Sequence, residues 1–147
     1  MTLYCPAQVQ EIFRARTKTH YTIALYSCAI SAGFPSPADE YLEGKLDLNQ
    51  HLIHHPLATY FVRVSGESML GAGIHPGDLL IVDRSMEARD GKIVIAVVNG
   101  ELLVKRLKIE GTQPYLVAEH PDYPELKIAE AMDFQIWGVV TNVIHPV

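Results

Sequence analysis

The sequence predicts a mainly β protein with a rolled, barrel-like core, short helices ahead of it and an extended N-terminal arm. Three observations carry that prediction. From Ala58 onward, short apolar runs rich in β-branched residues follow one another with brief polar links. Two of those runs are joined by Asn99-Gly100, a dipeptide that suits a two-residue hairpin because both of its positions need positive φ. Pro56 ends the earlier segment that carries helix-capping signals.

Composition sets bounds on the rest. A chain of 147 residues, nearly half of them apolar, is long enough for one domain with a real core. The net charge of -5 is unevenly spread: residues 1–32 carry three basic side chains against Glu11, and residues 33–147 carry 9 basic against 16 acidic. A body that acidic is poorly suited to gripping DNA phosphates, which need clustered Lys and Arg. Two cysteines, Cys5 and Cys28, make neither a disulfide framework nor a CxxC pair, so a reducing cytosol is expected. No apolar run approaches the ~20 residues of a membrane span. Thr22 to Gly33 is rich in small residues but lacks a long apolar stretch, so no signal peptide is expected.

Along the chain, Gln8–Thr17 has the composition of a short helix but no stop signal and no strong apolar face. His20–Pro37 is rich in β-formers, then small, then ends in Gly33, Pro35 and Pro37, and reads as an extended arm. Ser36 with Pro37 and Asp39, and Asp47 with Gln50, are capping patterns that predict short helices over 37–44 and 48–54. The strands follow: TYFVRVS, DLLIVDR, KIVIAVV, ELLVKRLKI, YLVAEH and FQIWGVVTNVI. KIVIAVV and ELLVKRLKI should pair as an antiparallel hairpin across Asn99-Gly100. Leu79–Val82 and Ile93–Val98 are continuous apolar runs and read as strands buried on both faces, with Trp137 in the core.

The stretch VSGESMLGAGIHPGDLLIVD sets Ser68 at the end of one strand with glycines on either side. In ELLVKRLKI, strand alternation puts Lys105 on one face with Leu103, Leu107 and Ile109, and Arg106 and Lys108 on the other. A lysine among apolar neighbours loses the hydration that favours its charged form, so its pKa falls. A neutral amine can take the proton of a serine hydroxyl, which makes Ser68 and Lys105 candidates for a Ser–Lys pair. Backbone N–H groups in the glycine-flanked turn could serve the oxyanion. The plainer alternatives are a loop serine and a snorkelling edge lysine.

Other clusters are weaker. His51 and His55 would be i, i+4 on a helix and could share a metal, but no third ligand completes the set. Asp78 and Asp83 face opposite sides of a strand, and Asp78 after Gly77 fits a turn. No cofactor and no metal is expected.

Taken in order, SGESMLGAGIHPGDLLIVD, then NGELLVKRL with its lysine 37 residues after the serine, then IWGVV, resemble the LexA/UmuD family of self-cleaving peptidases. GFPSPADEYLEGKLDLNQHLIHHPLATYFVRVSGESM resembles its UmuD-like members in particular, and the likeness covers about residues 31–145. The resemblance implies a β-rich peptidase fold, Ser68 as nucleophile and Lys105 as base. It also implies an oxyanion hole from the backbone N–H groups of Ser68 and Glu67, and self-cleavage at Ala32-Gly33. Ala32 is small and Gly33 lets the backbone approach closely, so that bond also makes physical sense. The implied domains are an arm, 1–32, removed by cleavage, and a peptidase and dimerisation body, 33–147.

The resemblance further implies a cytoplasmic SOS-response protein, cleaved under stimulation by a RecA–ssDNA filament. Its processed form would be a homodimer that serves as accessory subunit of a UmuC-like Y-family translesion polymerase, with no sequence-specific DNA binding of its own and no membrane. The 32 residues ahead of the Ala32-Gly33 bond exceed the family's usual arm, residues 1–20 lie outside the resemblance, and the stretch is too short for a repressor's helix-turn-helix domain. Two alternatives stand beside this reading: a non-catalytic dimeric scaffold for a polymerase, and a membrane-bound leader peptidase, which the absence of an anchor disfavours.

Overall fold

The computed structural model describes residues 7–20, 22–26 and 42–147. The chain divides into two compact units, Arg16–Pro56 and the remainder. Cys5, Cys28, the Ser36–Asp39 cap, and Ala32 with Gly33 lie outside the described residues.

The larger unit is the expected β barrel, with two strands beyond the six expected runs, Gln8–Arg14 and the two-residue Leu126–Lys127. Gln8–Arg14 is not a helix but a strand, β1. Its helix-compatible composition yields to sheet pairing, because β1 finds an antiparallel partner in Thr59–Ser65. Within Arg16–Pro56, Thr22–Tyr26 (β2) and Leu42–Asp47 (β3) form an antiparallel pair, so the helix expected over 37–44 is absent across 42–44. LEGKLD alternates apolar or small with polar residues, a strand period that outweighs the capping pattern upstream. The second helix forms as Leu48–Leu52 (α1), capped by Asp47, whose side chain accepts from the Asn49 N–H.

Thr59–Ser65 is β4, followed by Leu79–Asp83 (β5), Ile93–Val98 (β6), Glu101–Glu110 (β7), Gln113–Val117 (β8), Leu126–Lys127 (β9) and Phe134–Ile144 (β10). The expected run YLVAEH is strand only as far as Val117. The Asn99-Gly100 hairpin forms as predicted: both residues have positive φ, and Val98 pairs with Glu101 across them. The sheet order β1-β4-β5-β10-β6-β7 closes through the pairing of Gln8 with Leu103, giving a six-stranded barrel with β8 and β9 continuing beyond it.

Alternation along the strands sorts the core. Val62, Val64, Met69, Leu80, Val82, Ile95 and Val104 fill one buried cluster. Val94, Ala96, Val98, Leu107, Leu116 and Val139 fill a second, so β6 is buried on both faces, as its unbroken apolar run predicts. Trp137 is half-buried rather than central, with the Arg84 guanidinium 4.5 Å above its ring and Tyr60 edge-on.

β10 binds β6 with its first half and β5 with its second, handing over at Val139. Gly138 lies beside that handover, where a methyl group would stand 2.6 Å from a Val82 side-chain carbon. Gly138→Ala is therefore expected to cost about 1–3 kcal/mol through overpacking. The measurement is thermal unfolding, and a Tm equal to wild type would show that the strands can part at no cost.

Candidate active site

Three local features bring Ser68 and Lys105 together. The first lies on one edge of β7. Leu103 pairs there with β1, and the residues from Arg106 onward pair with β8, so Lys105 stands at the gap between the two ladders. The second is the Gly66–Gly77 connection, which leaves β4 through Gly66 at positive φ and turns back over the barrel. The third pins that connection: the Gly71 N–H donates to the Glu119 carbonyl at 2.8 Å, and the Glu119 carboxylate pairs with Arg106, the residue after Lys105.

Lys105 Nζ lies 3.3 Å from Ser68 Oγ. Ser68 is fully buried and Lys105 is 8% exposed. Among the described residues no carboxylate lies within ion-pair distance of Lys105, and its amine sits 5.4 Å from the centre of the Tyr123 ring. Burial pushes the Lys105 pKa below its ordinary value of 10.5, because desolvation opposes the charged form with no anion to offset it. A buried lysine with a lowered pKa beside a hydroxyl can act as a proton acceptor.

Ser68 Oγ has a second partner, sixty-one residues upstream, for which no local pattern exists. The Ala7 N–H donates to it at 2.8 Å, and the Ala7 carbonyl accepts from the Val104 N–H at 3.3 Å. Ala7 is itself buried, so the start of β1 roofs the hydroxyl. Glu67 is half-buried in the same turn, and its carbonyl accepts from the Leu70 N–H. Gly71, noticed only as a flanking glycine, proves to be a close-approach residue: a methyl group there would meet the Glu119 carbonyl oxygen at 2.7 Å.

The remaining candidates fall elsewhere. His51 gains no third ligand, and neither does His55, among the described residues. Asp78 serves a turn, as expected, accepting from the His75 N–H at 2.8 Å, and Asp83 accepts from the N–H and hydroxyl of Ser85. No described helix is long and apolar enough to cross a membrane.

Residues 24–141 match the Peptidase S24-like family, so the chain belongs to that family of self-cleaving serine peptidases. It is 45% identical over 130 residues to the protein MucA of Salmonella typhimurium, covering 86% of this chain and 88% of the relative. It is 47% identical over 125 residues to the protein ImpA of Escherichia coli, covering 85% of each. The LexA repressor of Dechloromonas aromatica is 41% identical over 118 residues, covering 80% of this chain and 58% of the repressor.

Gly71→Ala is expected to break the Gly71–Glu119 bond and shift the serine turn, at a cost of about 1–3 kcal/mol. Thermal unfolding together with a self-cleavage assay reads both effects. A variant with wild-type Tm and wild-type cleavage would mean that this contact does not position the turn.

Proposed function

We propose that the chain is an SOS-response peptidase that cuts its own Ala32-Gly33 bond, with Ser68 as nucleophile and Lys105 as general base. The observation that carries this reading is the 3.3 Å approach of a buried lysine, without a counter-charge among the described residues, to a buried serine hydroxyl. Neutral Lys105 would take the Ser68 proton as Oγ attacks the Ala32 carbonyl, and the N–H groups of Ser68 and Glu67 would hold the oxyanion. The proton would then pass to the Gly33 nitrogen as that bond breaks, leaving an acyl-enzyme for water to hydrolyse. Residues 1–32 would leave as the arm, and 33–147 would remain as the body.

Latency has a physical cause in this scheme. The Ala7 N–H holds Ser68 Oγ, and β1 occupies the edges of β4 and β7 that an incoming strand would need. In this scheme a docking strand would compete with the start of β1 for those edges, and cleavage would run through the state in which the strand wins. A RecA–ssDNA filament would raise the population of that state. The reading extends to a homodimeric processed form that would assist a UmuC-like polymerase in the cytoplasm, as the family resemblance of the ordered motifs implies.

Mass spectrometry after alkaline incubation tests the chemistry. The wild type is expected to yield a fragment beginning at Gly33, and Ser68→Ala and Lys105→Ala are expected to stay intact. An intact wild type, intact also with RecA filaments, would remove the peptidase role and leave a dimeric scaffold.

The rate of unassisted cleavage should rise with pH as Lys105 loses its proton and level off below the ordinary lysine value of 10.5. A rate flat from neutral to strongly alkaline pH would exclude Lys105 as the base. Ala7→Pro removes the N–H that holds Ser68 and is expected to speed unassisted cleavage several-fold, read as the first-order rate of Gly33-fragment appearance. An unchanged rate in a folded variant would clear β1 of any gating role.

A further inference from the structure

We propose that His75, Asp78 and His145 form a binding site for a divalent transition-metal ion of the zinc class. The sheet register brings them together. Ile144 pairs with Leu79 at the end of the β5–β10 ladder, so the next residues outward, His145 and Asp78, become neighbours. His75-Pro76-Gly77-Asp78 is a tight turn, with the Asp78 N–H donating to the His75 carbonyl at 3.1 Å and Gly77 at φ 88°. Proline then glycine at its centre is the type II pattern, and the turn folds His75 back over Asp78.

The donor set suits such an ion. His145 Nδ1 lies 3.3 Å and His75 Nδ1 3.7 Å from the same Asp78 carboxylate oxygen, and all three donor atoms lie within 4.8 Å of one another. A cation bound at ~2.0–2.2 Å from each donor fits the two Nδ1–Asp78 separations nearly as they stand, and rotation of the two solvent-facing rings would bring the nitrogens together around it. The carboxylate is 4% exposed and fixed by the His75 N–H, whereas the rings border an open cleft of about 520 Å³. The protein therefore offers one rigid oxygen ligand, two adjustable nitrogen ligands and room for water at the remaining positions. Two imidazoles and one carboxylate are a borderline-hard set that suits zinc better than magnesium or calcium.

A metal here would tie the segment after β10 to the loop that carries Ser68 at its other end. It would therefore stabilise the folded barrel without touching the serine or the lysine.

The test uses the full-length protein freed of metal by chelator, titrated with zinc chloride by calorimetry and followed by thermal unfolding. One ion per chain and a rise in Tm that excess chelator reverses are expected. His145→Ala and His75→Ala should each weaken binding by about tenfold or more and abolish the rise in Tm, while His51→Ala/His55→Ala keeps both. Circular dichroism without metal confirms that each variant is folded. No zinc binding by the wild type, binding that survives both His75→Ala and His145→Ala, or binding lost in His51→Ala/His55→Ala would each overturn the site.

Discussion

The structure turns on holding an amine out of water beside a hydroxyl. Lys105 can sit there only because one edge of β7 serves two different partners, β1 before it and β8 after it. Barrel closure, the Asn99-Gly100 hairpin that fixes the register of β7, and the Arg106–Glu119–Gly71 chain of contacts all serve that arrangement. Were β7 to slip by one residue, alternation would send Lys105 to the opposite face and bring Arg106 or Val104 toward Ser68.

Such a lysine carries an energetic cost. Its pKa is lowered on folding, so between the folded value and 10.5 the unfolded chain binds more protons than the native one. Stability therefore rises with pH through that window, and the full penalty falls below the lowered folded pKa, where the buried amine is charged. The two apolar clusters that enclose β6 supply the burial that offsets it. Strain of this kind, tolerated at one point and compensated elsewhere, is what a reactive group requires.

Much of this was legible in the sequence, and the failures have a common cause. The β6–β7 hairpin was readable because its signal is local: Asn99-Gly100 lies between two apolar runs. The paired placement of Ser68 and Lys105 could be inferred from alternation in β7 and from the ordered motifs of a known family. β1 was not readable, since QVQEIFR decides nothing by itself and becomes a strand only through distant β4. The strand period of LEGKLD competes with the capping pattern upstream, and only pairing with β2, some twenty residues earlier, decides for β3. Asp78 was visible as a turn residue, but His145 joins it only through the β5–β10 register, and long-range register has no short-range signature.

One consequence follows from β1 lying upstream of Ala32-Gly33. Peptide-bond scission under the proposed chemistry would not dismantle the barrel. It would leave a nicked molecule in which a non-covalent peptide still supplies the sixth stave. That peptide would be retained by the β4 ladder until it dissociates. A denaturing gel would then record the cut well before the molecule changed shape. The lag between the two would be a residence time, and the β4 edge would become free for a new neighbour only when that time had run out.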